Sequence, residues 1–163
     1  MRTNAARFLD TLKIPYELRE YHLAPEEFSA IAVAEKIGMP PEQVFKTLLC
    51  VTHERNHVFA VVPGNEELDF KKLAQAAGTR KAEMAAVKDV QPLTGYVRGG
   101  VTVFGAKKSF PVFVDETIEL FDIISVSAGA RGIQMLLSPT DYLRAAEATA
   151  VPLTKDVLPE AAR

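Results

Sequence analysis

The spacing of apolar positions changes its period several times along the chain, and each change marks an element. Between Asn4 and Leu12 the residues Ala5, Phe8, Leu9 and Leu12 recur at helical spacing and Pro15 closes the segment, which predicts a first amphipathic helix. From Tyr16 to Tyr21 large apolar and charged residues alternate, as in a strand with one wet face, and a turn is expected at Ala24-Pro25. Ser29 is placed to cap a helix through Ile31, Val33, Ala34 and Ile37 that Gly38 ends. Two apolar runs, 44–52 and 57–64, flank the polar link "HERN" and read as a central hairpin. Asp69 caps a further helix, "FKKLAQAAG", with Phe70, Leu73, Ala74 and Ala77 facing inward, Lys71 and Lys72 in water, and Gly78 as the stop.

The stretch 81–95 leaves its element type open, since Pro92 limits any helix there. Beyond it, "VFVD" (112–115), "FDIISVSAGARG" (121–132) and "IQMLLSP" (133–139) are short β-rich segments with glycine-containing links. Ser138 or Thr140 caps the last helix, "DYLRAAEAT", and a loosely held tail is expected from Val151 to Arg163. The predicted fold is α/β, a mixed and strongly bent, barrel-like sheet with about four peripheral helices. No repeat interrupts it.

At 163 residues the chain has room for one domain, 1–163, with a core that buries roughly 70% of its unfolded surface. Hydrophobic residues at 48%, charged residues at 25% and a net charge of −2 exclude disorder and exclude a protein that grips DNA or other long nucleic acid by counterion release. A short contact to a nucleic-acid end stays open. Cys50 is the sole cysteine, so the fold needs no internal disulfide, as in a reducing compartment. No stretch approaches the ~18 apolar residues of a membrane span and the first residues carry Arg7 and Asp10, so no membrane contact and a cytoplasmic protein are expected.

Four places carry candidate chemistry. Lys46 interrupts the apolar run "VFKTLL", where an ammonium either guards a sheet edge or faces an anion. "GGVTVFG" (99–105) admits a close approach by a ligand or a bulge in a bent strand, and lacks the spacing of a dinucleotide fingerprint. "SAGARG" (127–132) either presents backbone N–H groups and Arg131 to an anion or is a tight turn. Cys50 with His53 and His57 allows a nucleophile–base or metal reading, but the histidines fall in and after a hairpin, without a shared face. No serine-hydrolase, zinc-protease, P-loop or kinase signature occurs.

Three segments, "VFKTLL" (44–49), "ELDFKKLAQAAGTRKAEMA" (67–85) and "TGYVRGGVTVFGAKK" through "VSAGARGIQMLLSP" (94–139), resemble in order and spacing the YbaK/EbsC family. Its members are free-standing aminoacyl-tRNA deacylases related to the editing domain of bacterial prolyl-tRNA synthetases, and the resemblance is nearest to the Cys-tRNA(Pro) deacylases of the YbaK branch. It implies that Lys46 and Tyr21 are the catalytic residues, Lys46 at the 3′ end of the charged tRNA and Tyr21 at the cleft mouth. It places Gly99, Gly100, Val101, Thr102 and Gly105 around the aminoacyl end, opposite Ser127, Gly129 and Arg131.

Arg98, Lys107 and Lys108 become phosphate contacts, the partner is the acceptor end together with a prolyl-tRNA synthetase, and no metal or cofactor is implied. In the YbaK branch the substrate's own thiol attacks its ester. Thr102-Val103 stands where the family usually has Ser-Pro, and Gln134 where the branch has Asp. Two alternatives accompany this reading: a deacylase for Ala- or Ser-tRNA, and a non-catalytic module that binds a tRNA end, a nucleotide or a synthetase.

Overall fold

A computed structural model describes residues 3–24, 26–27 and 29–156. Pro25 of the expected turn and residues 157–163 of the expected tail lie outside them. Five helices and eight strands follow in the order α1 (Asn4–Thr11), β1 (Glu17–Glu20), α2 (Ala30–Ile37), β2 (Phe45–Thr52), β3 (His57–Pro63), α3 (Phe70–Ala77), β4 (Ala82–Met84), α4 (Val87–Thr94), β5 (Val112–Asp115), β6 (Ile124–Ser127), β7 (Ile133–Leu137), α5 (Pro139–Ala146) and β8 (Thr149–Val151).

The strands form two open sheets, β1-β7-β6 and β4-β2-β3-β5-β8. The first is antiparallel, while the second is mixed, with β3-β5 and β5-β8 parallel. The barrel-like closure expected from the sequence is absent: neither sheet closes, and they meet where Val44 bridges Ser125 in parallel. No helix among the described residues is long and apolar enough to cross a membrane.

Local chemistry explains the helix boundaries. The side chains of Ser29, Asp69 and Ser138 accept the N–H groups of Ala32, of Lys71 and Lys72, and of Asp141, each satisfying donors that a helix start leaves unpaired. The open stretch 86–95 resolves as α4, with Pro92 inside it. The N–H that Pro92 lacks would have bonded the carbonyl of Lys88, an exposed residue whose carbonyl water can reach.

Strand parity divides the interior. Along β2 and β3, Phe45, Leu49, Phe59 and Val61 face a core shared with β6, β7, α1 and α5, while Cys50, Val58, Ala60 and Val62 face a second core under α3. The larger sheet is therefore buried on both faces. Leu153, fully buried, closes the second core.

The chain after Val151 is tied down as far as Lys155. Asp69 N–H donates to the Leu153 carbonyl at 2.7 Å and Lys155 N–H to the Glu67 carbonyl at 2.9 Å. Lys72, expected in water, instead donates to the Thr154 carbonyl and to Asp156, both at 2.7 Å. Asp115, buried at 2% exposure, accepts from Leu153 N–H at 2.9 Å and from Thr117 Oγ1 at 2.6 Å. Asp115→Ala leaves those donors without a partner, so a loss of about 2–4 kcal/mol is expected in urea unfolding, with Asp115→Asn losing less. An unchanged midpoint would show that the segment after Val151 adds nothing to stability.

Candidate active site

The candidate site lies where β2 lacks a neighbour. β2 touches β6 at Val44 and pairs with β4 from Cys50 to Thr52; between these points no described strand lies beside it on the side away from β3. A cavity of about 550 Å³ occupies the gap. Residues 44–49 form one wall, Ser127 and Gln134 of the smaller sheet face them, and α2 and residues 98–101 close the sides.

Lys46 is half-buried in this wall, its Nζ 3.5 Å from the Gly64 carbonyl. That distance is at the limit of a hydrogen bond, and an ammonium has three donors, so most of its capacity remains for another oxygen. Burial holds its pKa below the ordinary lysine value, against the opposing pull of Glu67 and Glu66. Gly64 sets the local spacing: a Cβ there would sit 2.7 Å from Ala30 Cβ and 2.9 Å from the Val44 carbonyl. Only glycine lets α2 rest this close to the hairpin.

Opposite, Gln134 is 5% exposed and its Oε1 accepts from the Ser125 hydroxyl at 2.7 Å. Ser127 Oγ accepts from Gly129 N–H at 3.1 Å, which leaves its own proton to donate. Tyr21 follows β1, is held by its N–H on the Gly132 carbonyl at 2.9 Å, and lines the cavity.

The structure brings Tyr21, Lys46, Arg98, Gly99, Val101 and Ser127 together around one space and sets the remaining candidates behind it. Residues 99–105 are not a bent strand but an irregular loop wrapped around Phe104, whose ring meets Phe8 and Tyr142 at centroid distances of 5.9 and 5.3 Å. Thr102 is 1% exposed and accepts from Phe104 N–H at 3.3 Å.

Gly105 (φ 69°) and Gly129 (φ 105°) pack on Tyr96, where added Cβ atoms would approach its Oη to 3.1 Å and its ring to 3.0 Å. These two glycines serve the loop's shape. Gly100 packs on the Ala130 backbone, and Arg131 joins the two loops by donating from Nε to the Arg98 carbonyl at 2.9 Å. Lys107 and Lys108 are exposed and stand outside the lining.

Cys50 belongs to the core under α3, where burial pushes its thiol up to about 12, and His53 and His57 sit at the hairpin's far end, outside the cavity lining. The nucleophile–base reading of that trio has no geometric support. Thr47 was missed as a site residue, and Gln134 was singled out only as a departure from the resembling branch: neither spacing nor residue type reveals that a strand edge is left open beside them.

A family model described as an aminoacyl-tRNA editing domain matches residues 24–145. EbsC of Enterococcus faecalis, a protein named for Cys-tRNA(Pro)/Cys-tRNA(Cys) deacylation, is 44% identical over 87% of each chain. The chain belongs to the aminoacyl-tRNA editing domain family. Its relatives include the multifunctional Ser/Thr-tRNA deacylase ProXp-y of Escherichia coli, 31% identical over 71% of this chain and 72% of that one. A solved structure described as a trans-editing enzyme for prolyl tRNA synthetase has the same fold, with TM-score 0.80, 22% identity and coverage of 96% and 99% of the two chains. The matched span of the editing domain contains every wall of the cavity except Tyr21, which precedes it.

Desolvation is the largest influence on Lys46, so removing its charge should cost the fold nothing. Lys46→Met is expected to keep or raise Tm in a thermal melt. A fall of more than about 3 °C would show that the ammonium stabilises the fold.

Proposed function

We propose that the protein cleaves the ester of mischarged aminoacyl-tRNA in trans, with Cys-tRNA(Pro) as its leading substrate. One observation carries this reading: Lys46 stands half-buried in a cavity where, among the described residues, the lining contains no histidine, carboxylate or cysteine. A water or hydroxyl nucleophile needs a base within reach. A cysteinyl ester brings a thiol that is already ionised to a few per cent at neutral pH.

The sulfur attacks the ester carbonyl carbon, a C–S bond forms, and the ester C–O bond breaks. The thiol's proton passes to the departing ribose oxygen, releasing a thiolactone and free tRNA with no water consumed. Lys46 polarises the carbonyl as negative charge develops on its oxygen, and Tyr21, Ser127 and the 98–101 loop hold the ester in place. Arg98 meets a phosphate at the mouth, with Lys107 and Lys108 further out along the acceptor end. With a net charge of −2 the protein's own hold on tRNA is weak and salt-sensitive, so tRNA identity comes from a prolyl-tRNA synthetase working beside it. The name of the Escherichia coli relative makes hydroxyl amino acids the competing substrates.

The test is deacylation of Cys-tRNA(Pro), Ser-tRNA and Ala-tRNA(Pro) by the wild type and a folded Lys46→Ala variant, with the released product identified by mass spectrometry. Cys-tRNA(Pro) should be lost fastest as thiolactone, and Lys46→Ala should slow it on the order of 100-fold. Equal loss of Ser- or Ala-tRNA would replace the substrate thiol by an activated water. No turnover, with a tRNA-dependent rise in Tm, would make the protein a binding module.

Lys46 acts protonated and its pKa lies below the ordinary 10.5. After subtraction of uncatalysed hydrolysis, the rate should therefore rise as the substrate thiol ionises and fall again as pH passes the lysine's lowered value. Lys46→Arg should remove the falling limb. Persistence of that limb in the arginine variant would assign it to another group.

A further inference from the structure

Along β2 one residue turns its whole backbone toward the cavity. Successive residues of an antiparallel strand present their N–H and carbonyl groups to opposite sides. The Val44 carbonyl accepts from Gly64 N–H at 2.7 Å on the β3 side, and the Leu49 carbonyl accepts from Ala85 N–H at 3.0 Å on the other. Lys46 and Leu48, opposite Val62 and Ala60, share the parity of Val44 and bond within the hairpin. Thr47 shares the parity of Leu49, so both of its backbone groups point away from β3. The bridge from Val44 to Ser125 closes one end of that edge and Ala85 the other, and no described strand lies beside Thr47 between them. The residue is half-buried and lines the cavity.

A donor and an acceptor on one residue of a strand edge are matched by one residue of added strand, which returns an acceptor and a donor across a pair about 5.5 Å apart at Cα. An aminoacyl ester is such a residue. Its α-nitrogen carries N–H, its ester carbonyl is the acceptor, and a single carbon separates them. Among the described residues the lining holds no carboxylate, so an α-nitrogen bound here finds its acceptor on the main chain. Lys46, the preceding residue, reaches the same space with its ammonium.

We propose that the aminoacyl group adds to the open edge of β2 as a single residue of strand, its α-nitrogen donating to the Thr47 carbonyl and its ester carbonyl accepting from Thr47 N–H. This rests on the deacylase reading for the ester and adds a second catalytic group to it. Thr47 N–H points at the oxygen on which negative charge develops, beside the Lys46 ammonium, and a main-chain donor fixed in a sheet needs no reorganisation to serve there. The pairing uses atoms common to every amino acid. It therefore orients the ester whichever side chain the ester carries, and leaves the choice of side chain to the space around it.

The test follows the Thr47 amide by hydrogen exchange in NMR spectra and needs no turnover. The probe is an acceptor-stem minihelix whose terminal 3′-amino-3′-deoxyadenosine carries cysteine through an amide, which cannot leave as an ester does. In the free protein Thr47 should exchange faster than Lys46 and Leu48, and the bound probe should slow it on the order of 10-fold or more. A probe carrying 3-mercaptopropionate, which lacks the α-nitrogen, should bind on the order of 10-fold more weakly. Thr47→Pro removes an N–H that the β2–β3 ladder does not use, and should lower kcat on Cys-tRNA(Pro) on the order of 100-fold with little change in KM.

Unchanged exchange at Thr47 with the probe bound overturns the pairing, and if Cys-tRNA(Pro) is still cleaved the deacylase reading stands. A probe that binds no more tightly than the unacylated minihelix overturns it as well. Slowed exchange at Thr47 without cleavage of any aminoacyl-tRNA upholds the pairing and removes the deacylase reading. A folded Thr47→Pro variant with the wild-type kcat overturns the catalytic part of the proposal. If that variant does not fold, the exchange measurement and the 3-mercaptopropionyl probe decide.

Discussion

The change of partner along β2 governs the site. This strand is paired along its whole length with β3, touches the smaller sheet at Val44, and meets β4 only from Cys50 onward. Between Val44 and Leu49, whose carbonyl accepts the Ala85 N–H at 3.0 Å, its edge is open, and an open edge inside a protein must border either water or a ligand, since backbone donors and acceptors are costly to bury alone. Lys46 lies on that open stretch. The lysine, the cavity and the break between the two sheets are one structural fact seen from three sides.

Holding a lysine there works against stability, and the surroundings reduce the cost without neutralising the charge. Glu66 and Glu67 draw the proton toward the ammonium through space, while the contact it makes, to the Gly64 carbonyl at 3.5 Å, is weak. A strong ion pair would stabilise the fold and occupy the group that the substrate needs. The facing loops follow the same logic: Tyr96, Phe104 and the glycines packed on Tyr96 fix their shape from behind, and Arg131 ties one loop to the other. Much of the glycine-rich stretch thus builds the wall, and a smaller part of it faces the cavity.

The sequence was most readable where local chemistry decides the outcome. Caps at Ser29, Asp69 and Ser138, the hairpin across residues 53–56 and the amphipathic α3 are properties of neighbouring residues. Reading failed where distant segments compete. The loop 99–105 has the β-branched residues of a strand, yet Phe104 is drawn into the core between Phe8 and Tyr142 and the segment pairs with no strand. Lys72 looked like a solvated charge because Thr154 and Asp156, which hold it, are far away in the chain. Two sheets replaced one bent sheet because a single bridge at Val44 joins them, a contact that no periodicity encodes.

By itself the sequence determined which residues can form helices and strands, that residues 44–51 make a strand buried on at least one face, and, through its resemblance to a known family, that Lys46 is the residue to watch. Those properties depend on residue type and period, which the chain carries locally. Tertiary structure alone decided that β2 stays open beside Lys46, that Gln134 and Ser127 face it, and that the Thr47 backbone turns into the gap. Each is a juxtaposition of residues distant in the chain, set by where strands stop pairing, and no short window of residues contains that information.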